Sequence, residues 1–220
     1  MKPFLFLALL CLVSPVFAQP TGNVKVEMSP VYKNEQKQTY VTDMFNDPAG
    51  NIYLVKSEDK TTAGEVLFGA IADKDPVVLI EKYDKSLEQL FSKTLSAGEV
   101  DGYKRYYQGV YRVKGKPWFF SAYFDKKEDM RYLYRHELGD DGKLGRGVKV
   151  AKMESKKGGG RFNILYSPDS ALLAVVTRPA VKGKKPEEMS FQVFDGDFNI
   201  VQEGATTFPY INKEMDIKGF

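Results

Sequence analysis

The chain has 220 residues, 43% hydrophobic and 13% aromatic, with 32 basic and 29 acidic side chains and a formal charge of +3. That near-balance provides no field strong enough to draw nucleic acid or an anionic membrane surface, so neither is expected as a partner. With Cys11 and His136 the only residues of their kinds, two-histidine metal centres, thiolate clusters and disulfide frameworks are excluded.

The N-terminus carries Lys2, an apolar run from Phe4 to Val13, then Pro15 and the small-residue ending Val16-Phe17-Ala18. This pattern predicts a signal peptide over 1–18, cleaved after Ala18, and a secreted or periplasmic mature chain. The run is too short for the roughly 20 residues a bilayer span needs, so no stable membrane anchor is expected. Cys11 lies inside the run and follows Leu10, where a lipoprotein site would carry a small residue. Without the leader the chain has no thiol, and its stability must come from packing alone. Residues 19–40 read as a polar linker with a candidate edge strand at Val24–Met28.

From residue 41 onward, short β-type runs alternate with Gly, Asp, Asn, Pro and Lys turns. Examples are Ile52–Val55, Val77–Ile80, Trp118–Phe124, Phe162–Tyr166 and Leu172–Val176. One stretch argues for a helix, because Ile80, Tyr83, Leu87, Leu90 and Thr94 recur at helical spacing. An internal repeat decides against it: residues 80–90 align without gaps on 191–201, matching Tyr83 with Phe194, Asp84 with Asp195 and Leu87 with Phe198. The second copy contains Gly196 and Gly204 and is a poor helix. Both copies are therefore expected to be a strand, an Asp-led turn and a return strand.

A weaker middle copy at 132–144 puts Leu144 in the place of Leu87 and Phe198, at spacings of 57 and 54 residues. A second landmark, the turn at Gly50, Gly115 and Ser170, recurs at 65 and 55. Units of this size with about four strands predict propeller blades, here over 41–98, 104–153 and 161–208. Residues 214–220 resemble the opening strand at 40–45 and are expected to start a fourth blade. The fold class expected is all-β, an incomplete β-propeller over 41–220.

The segment Tyr166-Ser-Pro-Asp-Ser-Ala-Leu-Leu-Ala-Val-Val resembles the strand–turn–strand element of WD-type and Tol-system propeller repeats, with Ser170 in place of the usual Gly. Asn46-Asp-Pro-Ala-Gly-Asn-Ile-Tyr-Leu-Val55 is similar to the same element. The resemblance implies a secreted bacterial propeller and supplies no catalytic residues.

Chemistry is sparse. His136, between Arg135 and Glu137, reads as a solvated strand residue, since no serine-bearing elbow accompanies it. Asp43, Asp47, Asp84, Asp140, Asp141, Asp169, Asp195 and Asp197 read as turn residues. Neither Asp140-Asp-Gly142 nor Asp195-Gly-Asp197 continues into a calcium loop. Lys156–Arg161 reads as a flexible interblade loop, and Arg178, Lys182, Lys184 and Lys185 as a solvated basic loop. The second blade is crowded with aromatics, among them Tyr103, Tyr106, Tyr107, Tyr111, Trp118, Phe119, Phe120, Tyr123, Phe124, Tyr132 and Tyr134. Interblade packing accounts for most of them, and stacking on a ligand for any left over. No catalytic, cofactor or metal residue is nominated. The expected function is an extracytoplasmic binding or scaffold module for a peptide, glycan or protein, with self-association through exposed blade edges. The alternatives are a fragment of a carboxylate-dependent propeller glycosidase and a truncated product without independent function.

Overall fold

The computed structural model describes residues 39–58, 77–100, 102–155, 159–181 and 185–211, and every regular element among them is a strand. The first sheet joins β1 (Thr39–Asn46), β2 (Ile52–Glu58), β3 (Val78–Tyr83) and β4 (Gln89–Leu95) as an antiparallel meander. A short ribbon of β5 (Glu99–Val100) and β6 (Tyr103–Lys104) leads into the second sheet. That sheet is β7 (Tyr106–Val113), β8 (Lys116–Asp125), β9 (Met130–Glu137) and β10 (Val148–Glu154). The third is β11 (Arg161–Tyr166), β12 (Leu173–Arg178), β13 (Pro186–Phe194) and β14 (Ile200–Ile211). The chain is all-β, a partial β-propeller of three four-stranded blades. The expected edge strand at Val24–Met28, the segment 214–220 and residues 156–158 lie outside the described residues.

Each blade buries its faces only against its neighbours, and β8 shows this residue by residue. Successive side chains on a strand point to opposite faces. Phe119 joins Tyr53, Val55, Val78 and Ile80 of the first blade in one buried cluster. Phe120, the next residue, joins Leu173, Val175 and Phe194 of the third blade in the other. A strand covered on both sides reads as a near-continuous apolar run, as Trp118-Phe-Phe120 does.

The stretch 80–95 is a hairpin, as the internal repeat predicts, and its turn recurs throughout the molecule. At Asp84 the amide donates to Glu88 O (2.9 Å) and Leu87 N donates back to Asp84 O (3.0 Å). The same pair of bonds closes Asp47–Asn51, Gly139–Lys143 and Asp195–Asn199. In each the fourth residue is left-handed: Gly50 (φ 83°), Leu87 (63°), Gly142 (76°) and Phe198 (64°). The equivalent of Leu87 and Phe198 in the middle copy is therefore Gly142, which corrects the assignment to Leu144. Leu144 instead bridges Leu138, the position of the Gln89–Tyr83 and Ile200–Phe194 pairs. The landmark at Gly50, Gly115 and Ser170 is left-handed in all three copies, with φ of 83°, 74° and 57°.

Candidate functional site

The first strands of the three blades converge, and one arginine ties them. Arg112, near the end of β7, donates from Nη1 to Asn46 O at the end of β1 (3.2 Å). Its Nε (3.3 Å) and Nη2 (3.2 Å) share Ser170 Oγ in the turn after β11. Lys114 N adds a bond to Ser170 O (3.0 Å). Ser170, 1% exposed, thus holds a left-handed backbone that glycine would adopt more readily, because its hydroxyl receives the Arg112 fork. Farther out, a groove of about 700 Å³ separates β10 from β13 and β14, lined by Lys149, Lys152, Thr177, Ser190, Gln192 and Glu203.

Below Arg112 the inner strands carry a cluster of tyrosines and one carboxylate. A bulge between Tyr107 and Gly109 sends the two flanking tyrosines to different neighbours. Tyr107 packs on Phe119 with ring centroids 5.4 Å apart, on the side of the first blade. Tyr111 packs edge-on against Phe120 (5.5 Å) and against Tyr166 at the end of β11 (6.2 Å). The Tyr111 ring also lies over Gly109, where a Cβ would fall 2.4 Å from it. Asp43 pairs across the sheet with Val55 and so shares the face turned toward the second blade. Burial pushes the Tyr107 phenol up to about 12, with Tyr111 and the Asp43 carboxylate adding to the effect. Tyr111 is raised by burial first and then by Asp43. Asp43 stands within a strand and not in a turn, which corrects its expected role.

His136 is 4% exposed, which corrects the expectation of a solvated residue. Its Nδ1 lies 3.2 Å from Gly145 O and must carry the proton, leaving Nε2 to accept from Ser121 Oγ at 3.0 Å. Arg105 Nη1 stands 3.4 Å from the same nitrogen. Burial holds the imidazole below its ordinary pKa, with Arg105 acting in the same direction. The arrangement has the bonding order of a serine–histidine dyad, but Ser121 is 0% exposed and the pair is sealed at the interface of the first two blades. It acts as a satisfied polar lock.

The remaining charged groups are placed by structure. Lys82, almost fully buried, bonds Asp140 Oδ1 (2.8 Å), lies 3.5 Å from Asp47 Oδ2 and sits 5.0 Å from the centre of the Tyr53 ring. Burial pushes its ammonium down, but the bonds and charges of Asp140 and Tyr53 together outweigh this and hold it above the ordinary value. Asp84, Asp141, Asp169 and Asp195 accept backbone N–H bonds in their own turns, as expected. Asp195 is held below the usual carboxylate range by its bonds from Asn199. Asp197 instead meets Lys114 Nζ across the blade boundary (2.8 Å). Arg178 is 6% exposed and bonds Glu187 Oε1 (2.7 Å), which corrects its place in a solvated basic loop; Lys182 and Lys184 lie outside the described residues.

The aromatic crowding of the second blade divides in two. Tyr107, Tyr111, Trp118, Phe119 and Phe120 pack between blades. Tyr103, Tyr123 and Tyr132 form their own stack at the opposite end, with centroid separations of 5.7 and 5.2 Å. Sequence reasoning named Tyr107 and Tyr111 without joining them to Asp43 or Tyr166. The available signal was positional, since all four belong to the first strand of a blade. No family profile matches the chain, and no curated protein is similar enough to it to be counted a relative.

Proposed function

We propose that the chain is a non-enzymatic binding or scaffold module that works outside the cytoplasm and takes a peptide, glycan or protein partner on its inner-strand surface. One observation carries this reading. Of ten large apolar side chains exposed among the described residues, five sit on β1 and β11: Tyr40, Val41, Met44, Leu165 and Tyr166. Exposed apolar side chains concentrated on the first strands of two blades, rather than scattered singly, mark those strands as an interaction site. The sealed Ser121–His136 pair offers no nucleophile to a substrate, and the leader-like residues 1–18 support export.

The test is to probe peptide and glycan arrays with the mature chain and with a Met44→Ser, Tyr166→Ser double variant. Ligands found with the parent should bind the variant about tenfold or more weakly, as loss of an aromatic anchor implies. Ligands retained in full by a folded variant would refute the assignment to this surface. Export is tested by fractionation: a cytoplasmic product that keeps residues 1–18 would refute it.

A further inference from the structure

The groove between the second and third blades has two walls of different chemistry. On the third blade the strand register sets Phe162, Thr177, Ser190 and Ala205 in one cross-strand row and Val175, Gln192 and Glu203 in the next. Directly opposed residues share a face, and Phe162 and Val175 belong to the buried cluster that joins the two blades. Both rows therefore look toward the second blade. At their inner ends Phe162 and Val175 seal the boundary; farther out the rows turn into two hydroxyls, an amide and a carboxylate, and the sheets part around a space of about 700 Å³.

The facing wall is apolar. A bulge between Lys149 and Ala151 turns two successive side chains, Val150 and Ala151, toward the third blade. Lys149 and Lys152 pair with Tyr134 and Tyr132, on the opposite face of the sheet from the buried Leu133, and the Lys149 ammonium lies 5.3 Å from the centre of the Tyr132 ring. Their charges point away from the groove. Glu203, which accepts from Gln192 Nε2 at 3.4 Å, faces it.

We propose that this groove is a site for a neutral carbohydrate, its hydroxyl edge on Thr177, Ser190, Gln192 and Glu203 and its C–H face on Val150 and Ala151. The site goes beyond the inner-strand surface, since it lies between outer strands. Hydroxyls, an amide and a carboxylate together supply the donors and acceptors that a polyol needs, and one carboxylate can accept from two neighbouring hydroxyls. The space matches small-ligand sites, which run to roughly 300–1,000 Å³. An extended peptide fits less well, because the bulge interrupts the free edge of β10 on which it would build a ladder. A sugar acid would set its charge against Glu203.

Trimers of glucose, mannose and N-acetylglucosamine are the probes, with trigalacturonate as the charged control. They are titrated into the mature chain and followed by NMR at the amides of Val150, Ser190, Gln192 and Glu203. At least one neutral trimer should shift these signals with millimolar affinity, and trigalacturonate should bind about threefold or more weakly by comparison. Gln192→Ala should weaken the neutral sugar about tenfold. Ala205→Phe, at an exposed position in the same row as Ser190, should fill the groove and abolish binding. Absence of shifts with every neutral trimer up to about 50 mM, tighter binding of trigalacturonate, or parent-like affinity in folded Gln192→Ala and Ala205→Phe variants would overturn the proposal. The Met44→Ser, Tyr166→Ser variant should keep the sugar; if it loses the sugar while the groove variants retain it, the groove site falls and the inner-strand reading stands.

Discussion

Ser170→Gly sets two effects against each other at one atom. The substitution removes the steric cost of a left-handed non-glycine residue, roughly 1–2 kcal/mol, while the freer unfolded chain offsets about 0.5 kcal/mol of that gain. It also deletes the acceptor of two bonds from the Arg112 guanidinium, at 3.3 and 3.2 Å. A hydrogen bond to a charged group contributes about 1.5–3 kcal/mol, and the two here share one oxygen, so they are counted once. The loss wins by about 1 kcal/mol. With an m value of about 2 kcal/mol/M, the urea midpoint should fall by roughly 0.5 M. The chain's single tryptophan, Trp118, packs against Phe198 at 4.8 Å and reports the transition by fluorescence. Ser170→Ala keeps the strain and loses the acceptor, so it should be less stable than Ser170→Gly by the strain term. A cycle with Arg112→Met should return a coupling of about 1–2 kcal/mol. If Ser170→Gly equals or exceeds the parent in stability, or the coupling is zero, the hydroxyl is not what keeps serine there.

Three other perturbations probe different levels of the structure. Phe119→Ala and Phe120→Ala should each cost about 3–5 kcal/mol, but hydrogen exchange should separate them. The first should lower protection in β2 and β3, the second in β12 and β13; one shared pattern would contradict the two-sided packing of β8. Gly109→Ala should cost about 2–3 kcal/mol or more, because the Tyr111 ring fills the Cβ position, and a melting temperature within 2 °C or so of the parent would refute this. Stability should fall with acid through His136. Its folded pKa lies below the ordinary 6.5, so the unfolded state takes up the proton first; the stabilisation is whole above about pH 6.5 and is lost as pH drops toward the folded value. Urea midpoints that are flat from pH 7.5 to 5, or a slope unchanged in His136→Gln, would contradict the buried neutral imidazole.

What sequence could reveal depended on whether the information was local. The hairpin at 80–95 competed with a helical periodicity, and only its second copy, where Gly196 and Gly204 break the helical option, resolved the ambiguity. Blade number followed from turns, whose residues carry their own conformational requirements. The burial of His136 and Arg178 was hidden because each is paired by distant groups: Gly145 O, Ser121 and Arg105 for one, Glu187 for the other. Asp43 looked like a turn residue beside Asn46-Asp47-Pro48, and only the convergence of first strands brings its charge to bear on Tyr107 and Tyr111.

The left-handed turn position shows why the repeat is so faint. Each of these turns needs a left-handed residue that glycine would supply most readily, yet the turns carry Gly50, Leu87, Gly115, Gly142, Ser170 and Phe198. Where a neighbour presses close, glycine is kept: a Cβ on Gly142 would meet Lys93 Cγ at 2.7 Å and the Phe91 ring at 3.0 Å, and one on Gly115 the Pro48 ring. Where the neighbouring blade offers a partner, a side chain is worth its strain of about 1–2 kcal/mol. Phe198 lies 4.8 Å from Trp118 and 3.9 Å from the Arg135 guanidinium, and Ser170 receives Arg112. The residue at this position is thus selected across the blade boundary, so copies that share a backbone diverge in sequence wherever their neighbours differ. Exchanging Phe198 for Gly should accordingly relax its own turn and still destabilise the second and third blades together, because the packing that the ring supplies to Trp118 and Arg135 belongs to the boundary.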